Sequence, residues 1–306
     1  MREHCPNCGG LLPEGVSAAS VLLPLKAAQV IVLKGSDCRC APGVQALRDS
    51  VFPFGKPQRR PSPPLSTFLQ QLYLHTNHCL ILSTSLSILP VVRPRVNPHD
   101  LNQEDQELLS MFDEAWQYLR ETFTPRDIQA LSYEVWITRD VDSFEFYLTE
   151  LLRELFVQRP ETLKTSDSVT VKEVLEAGTL DAFIKEVAEK RVLTLAFGGL
   201  RSITDYLERQ LGLSIDRTTP SFTLSTEAVE VRNIIAHNAG LVSDLFLRRT
   251  GRSDLKAGVK FPLSVDYAGS VSKALFNLSL AIDSAFVTHF KLWDAVQVSS
   301  DDVRGS

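Results

Sequence analysis

Cysteine is scarce and confined to one end, since all five cysteines of the 306-residue chain lie before residue 80. An odd count without secreted-type spacing argues against a disulfide framework and predicts a reducing, cytoplasmic setting. The N-terminal "MREHCPNCGG" lacks the apolar core of a secretory signal. Long clean hydrophobic runs are missing as well. "SVLLPLKAAQVIVL" is short and broken by Pro24 and Lys26, and "LYLHTNHCLILSTSLSILPVV" carries His75, Asn77 and His78, so no membrane partner is expected. There is no glycine-rich phosphate loop, serine nucleophile elbow or HExxH helix, which removes the commonest NTPase, hydrolase and zinc-protease signatures. Beyond residue 100 period-two alternation is nearly absent, and an all-α chain is expected there.

What is present divides into two kinds of text. Twelve of the sixteen prolines precede residue 100, and residues 1–100 carry ten Lys/Arg against five Asp/Glu. That is +5, so the remainder carries −10 of the overall −5. "PFGKPQRRPSPPLS" favours extended, solvated backbone, residues 67–92 read as a short helix and a strand, and the spaced prolines of "PVVRPRVNPHD" end regular structure. The expectation is a proline-rich basic extension over 1–101, a helical domain over 102–293 and a disordered tail over 294–306. Within the extension, Cys5 and Cys8 form a "CPNC" pair that suits half of a zinc ribbon. Cys38 and Cys40, one residue apart, are a poorer second pair, with His4 or His78 as substitutes, so free thiols in a loose segment are favoured over zinc.

From Asn102, the expected N-cap, followed by acidic residues, Leu108, Leu109, Phe112, Trp116 and Leu119 fall at helical spacing. A short helix is expected after Pro125, then a strongly apolar one through "DSFEFYLTELLRELFVQRPE". Helices at 169–178 and 180–211 follow, the second stepped at "FGGL" because Gly198 and Gly199 weaken it. A helix over 224–238 and a last one from Asp266 to Leu292 complete an antiparallel bundle.

The 224–238 helix carries the chemistry. On a helical wheel Ala228, Val231, Ile234 and Ile235 share one side and face the bundle, with Arg232 at its flank. Asn233 and His237 lie four residues apart on the opposite side, with Val229, Glu230 and Ala236 beside them. His237 occupies the last turn if Gly240 is the C′ residue, where the negative helix end favours a cation. Imidazole is a general acid or base near neutrality. Arg232 offers a planar fixed charge that holds a phosphate through two hydrogen bonds. Together they suit RNA cleavage without a metal or other cofactor, by attack of a ribose 2′-hydroxyl on its own phosphate. Two acid–base roles need a second residue or a second copy of the helix, as a symmetric homodimer supplies. Downstream, Arg248, Arg249, Arg252, Lys256 and Lys260 turn an acidic domain basic beside the motif and are candidates for RNA contact. The other reading of "LRRTGRSDLKAGVK" is a solvated loop.

"RNIIAH" resembles the signature of the HEPN superfamily, an Arg, commonly a polar residue after it, and a His four to six residues on, at a helix end in an all-helical domain. With "SFEFYLTELLRELFVQRPE" and "FLRRTG", the resemblance covers about residues 102–293. It implies a HEPN-like bundle and a metal-independent endoribonuclease built between two protomers, in toxin–antitoxin, phage-defence or RNA-processing settings, with an antitoxin protein as a further partner. It gives Arg232 the phosphate and transition state, His237 the acid–base role and Asn233 an orienting role. Some members are inactive binding or dimerisation modules, which is the alternative function.

Overall fold

Short polar residues stand at the starts of most helices, and their side chains take up the first backbone N–H groups, which have no partner inside the helix. The computed structural model describes residues 61–163 and 170–293. Nine α-helices cover them: α1 (Pro63–Val92), α2 (Gln103–Thr122), α3 (Pro125–Gln158), α4 (Val171–Glu176), α5 (Leu180–Phe197), α6 (Gly199–Arg209), α7 (Pro220–Asn238), α8 (Asp244–Thr250) and α9 (Val265–Phe290). The described residues are all-helical, apart from short 3-10 turns and an isolated antiparallel bridge between Leu241 and Lys260. No helix among them is long and apolar enough to cross a membrane.

Asn102 caps α2 as expected, accepting from the backbone N–H of Asp105 at 2.8 Å. Thr170 and Glu173 form a reciprocal capping box on α4, and Thr179 caps α5. Thr219 does the same for α7, accepting from Phe222 N–H at 3.2 Å with Pro220 at the first helical position. Thr219→Ala removes that acceptor, and the expected cost is about 1 kcal/mol in urea unfolding. An unchanged midpoint would show that the cap does not hold α7 in place.

The described chain divides into two units, the larger made of 61–75, 137–163, 170–262 and 270–293, the smaller of 76–136 and 263–269. In the larger unit, Ile137, Val141, Phe144, Leu148, Leu151 and Leu155 recur every three or four residues along α3 and are almost wholly buried. Each such side chain contributes about 1.5–3 kcal/mol through burial. Phe68 of α1 packs its ring against Phe144 and Tyr147 at 5.7 and 5.6 Å, and the Tyr147 hydroxyl donates to the Ser279 carbonyl of α9 at 3.1 Å. Buried polar groups join the same helices. Ser272 donates to Asp140 at 2.5 Å, His75 Nδ1 lies 3.4 Å from the other Asp140 oxygen, and the Ser62 hydroxyl donates to Asp283.

Three expectations give way. Residues 63–92 are one helix rather than a short helix and a strand, because no glycine interrupts them and Leu65, Phe68, Leu69 and Leu72 supply a buried face. The first of these turns therefore belongs to the larger unit's core, and the units do not divide at 101/102. The two helices expected between 125 and 158 are one, since neither Pro nor Gly occurs from Arg126 to Gln158 to end it. In the smaller unit, α2 has the expected stripe, yet none of its residues is fully buried and Leu108 is exposed. Arg93 pairs with Asp113 of α2 there. Residues 1–60 and 294–306, for which an extension and a tail are expected, lie outside the described residues.

Candidate functional site

The end of α7 is set by backbone geometry. The left-handed turn begins at Ala239 (φ 50°), one residue before the expected Gly240, which is itself at φ 76°. The Gly240 N–H returns to the Ile234 carbonyl at 2.9 Å, satisfying one of the helix's last acceptors. The chain then folds back: Val242 donates to the Val259 carbonyl at 2.8 Å and Phe261 to that of Gly240 at 2.9 Å. Much of the expected solvated loop is thus tied to the segment following the motif. Phe246 and Phe261 pack edge to face beneath it, 5.6 Å apart.

Ala228, Val231 and Ile234 are buried, as the helical wheel requires, and Ile235 is half-buried. Val229 and Glu230, assigned to the exposed side, are buried instead. Two helices pack on this side of α7, α6 and α8, and α8 brings Arg249 to Glu230, with a nitrogen–oxygen distance of 3.1 Å. Asn233 is half-buried and His237 is exposed.

Arg232 has partners that only the tertiary structure brings to it. Its side chain is 20% exposed, with Nε 3.2 Å from Asp142, Nη2 donating to Glu145, and Nη1 donating to Asn233 Oδ1 at 3.1 Å. Asp142 and Glu145 lie three residues apart on α3, one turn of the helix. They fix the guanidinium's plane, and they also occupy donors that a phosphate would use. Burial pushes the Glu145 carboxyl above the ordinary carboxylate range; Arg232 opposes that rise and Asp142 adds to it. A carboxyl that keeps its proton more readily than usual, inside a cleft, is a candidate acid or base. Sequence reasoning missed both acids. The available signal was weak, two carboxylates one turn apart on a helix that also carries Glu134, Asp140, Glu150 and Glu154.

Arg232, Asn233 and His237 meet Glu145 around an open cleft of about 650 Å³, whose other walls include Phe197, Gly199, Arg201, Glu230 and Arg249. A smaller hollow of about 320 Å³ also borders Asn233, His237 and Arg249, and adds Ser243 and Leu245. His237 and Asn233 therefore stand between two depressions. The Gly198–Gly199 step occurs as expected, with Gly199 at φ 66°, and α6 opens on the cleft without a side-chain cap.

Of the downstream basic residues, Arg249 reaches the cleft. Arg252 is committed elsewhere, bound to Asp254 at 2.7 Å and Glu227 at 2.9 Å and lying over the Phe261 ring. This pairing raises the arginine's pKa and holds the Asp254 carboxyl down at about 2, so Arg252 acts as a brace for the folded-back segment. Arg248, Lys256 and Lys260 are exposed and are not among the cleft's lining residues. Cys5, Cys8, Cys38 and Cys40, the candidate zinc ligands, lie outside the described residues.

No family model, curated protein or solved structure matches the chain.

Proposed function

We propose that the protein is a metal-independent endoribonuclease of the HEPN type, its chemistry carried by Arg232, Asn233 and His237 with Glu145 as a fourth participant. The observation that carries this reading is the convergence of an exposed histidine, a clamped arginine and a carboxyl with a raised pKa on one cleft. Those are the groups that a transesterification without metal requires. Glu145 accepts the proton of a ribose 2′-hydroxyl as its oxygen attacks the adjacent phosphorus. The bond to the 5′-oxygen breaks, His237 protonates that leaving oxygen, and a 2′,3′-cyclic phosphate remains. Arg232 faces the accumulating negative charge, and Asn233, bonded to it, keeps it in register.

The decisive measurement is incubation of the purified protein with mixed RNA in EDTA, followed by analysis of the ends. New fragments ending in cyclic phosphate support the reading. RNA bound but left intact would make the chain a non-catalytic binding module, and neither binding nor cleavage would end the RNA proposal.

Glu145 also gives the reading a pH signature. Its pKa is raised, so the group is ionised above the shifted value and protonated below it. As a base it makes cleavage rise with pH through a range above the usual carboxylate one. Glu145→Gln keeps the shape and an acceptor for Arg232 but cannot carry the proton, and it is expected to remove that acidic limb and lower the rate about 10²-fold or more. The same limb in the variant would assign it to another group.

The exposure of His237 supports a second source for the second role, the same residue of another copy across a homodimer axis. Exchanging subunits between wild type and an excess of His237→Ala protein distinguishes the two, because mixed dimers are inactive where both copies of His237 serve one site and keep half the activity where Glu145 takes the second role within each subunit. A toxin or phage-defence setting, with an antitoxin partner, follows from the resemblance of "RNIIAH" alone.

A further inference from the structure

The most exposed large apolar residue among those described is Phe197, at 98%. It is the last residue of α5, and Gly198 and the left-handed Gly199 turn the chain into α6 immediately after it. Such a ring adds almost nothing to folding, yet it stands on the wall of the cleft that holds His237, Asn233 and Arg232. Its neighbours on that wall, Ala196, Gly198 and Gly199, are small and leave the approach to the ring open. Arginine lines the same cleft. Arg201 donates from Nη2 to the backbone carbonyl of Arg249 at 2.9 Å, which holds two arginines side by side, and Arg249 remains 47% exposed despite its pairing with Glu230.

From this juxtaposition we infer that the cleft takes single-stranded RNA, with one unpaired base stacked on the Phe197 ring while Arg201 and Arg249 hold the adjoining phosphates. An aromatic face beside fixed positive charge is how sequence-tolerant single-strand sites are built, since every base offers a flat face and every nucleotide a phosphate. A base inside a duplex is already covered on both faces and has none to offer. A contact with a protein would place apolar neighbours around the ring on this wall. Leu193, exposed one turn earlier on α5, is not among the cleft's lining residues; Leu200 and Val229, which do line it, are themselves buried, and the remaining groups are arginine, carboxylate, amide, hydroxyl and imidazole. The inference rests on the RNA reading above and narrows it to unpaired substrate.

Binding is measured by fluorescence anisotropy with a labelled 2′-O-methyl oligonucleotide, which cannot be cleaved by this route, as a single strand and as a duplex of the same sequence. Phe197→Leu keeps the apolar character and removes the π face, and Phe197→Trp enlarges it; the site's exposure leaves the fold untouched by either. The wild type is expected to prefer the single strand. Phe197→Leu should weaken that complex about 10-fold, and Phe197→Trp should bind at least as tightly, its indole emission quenched as RNA is added. Duplex binding should be equal in all three proteins. Single-strand affinity unchanged in Phe197→Leu, with the wild type still binding RNA, overturns the stacking role and leaves the nuclease reading in place. Conversion of a dimer to a monomer by Phe197→Leu, seen in light scattering, overturns it too, because the ring then belongs to a contact between copies. Absence of RNA binding by the wild type removes both inferences together.

Discussion

Replacing His237 by alanine is expected to reduce RNA cleavage in EDTA by about 10²- to 10⁴-fold, the range for loss of a positioned acid or base. Chemistry and folding are separable at this position because His237 is exposed at the end of α7, away from the face that meets the core. Stability should therefore stay within about 0.5 kcal/mol of wild type. Arg232→Ala is a poorer probe, since it strips Asp142 and Glu145 of their shared cation and perturbs the fold and the site together. The measurement is fragment yield against time on wild-type and variant protein, with urea midpoints as the control. A variant that cleaves as fast as wild type takes the imidazole out of the mechanism. Cleavage lost together with stability would say that His237 supports α7 structurally.

The second large effect concerns α1. Phe68 is 1% exposed, and its ring is packed against Phe144 and Tyr147 of α3. Phe68→Ala deletes the ring and leaves a cavity that the surrounding side chains fill incompletely, at an expected cost of about 3–5 kcal/mol. That is a large part of the total stability of an ordinary domain. The urea midpoint should fall accordingly, whereas Leu74→Ala, on the exposed side of the same helix, should leave it nearly unchanged. Removing residues 1–101 should be worse than either. It takes away Leu65, Phe68, Leu69 and Leu72 together with the Ser62 hydrogen bond to Asp283. Cooperative unfolding of the shortened chain at the wild-type midpoint would mean that α1 is not part of this core.

How much of the fold is legible in the sequence depends on the range of the forces involved. Helix starts and stops are local: Asn102 and its acidic first turn, the Gly198–Gly199 step and the end of α7 depend on residues within a few positions of one another, and the text alone locates them within a residue or two. The 34-residue length of α3 is equally open to local reading, because no Pro or Gly follows Pro125 inside it, although its apolar stripe becomes conspicuous only in the second half. The helix of 63–92 is harder. Prolines stand at both its ends and its apolar residues make no clear stripe, so only the burial of Leu65, Phe68 and Leu72 against other helices reveals which face is inside.

The site follows the same division. By itself the sequence determined helical structure beyond residue 100 and singled out Arg232, Asn233 and His237, because a helical repeat of 3.6 residues and a helix terminus are properties of neighbouring positions. Tertiary structure alone decided that Arg232 is clamped by Asp142 and Glu145 from a distant part of the chain, that α8 covers Glu230, that Arg252 is occupied by Glu227 and Asp254, and that Phe197 stands bare on the cleft. Charge pairing and burial depend on distance through space, and spacing along the chain carries no record of it until the helices are packed.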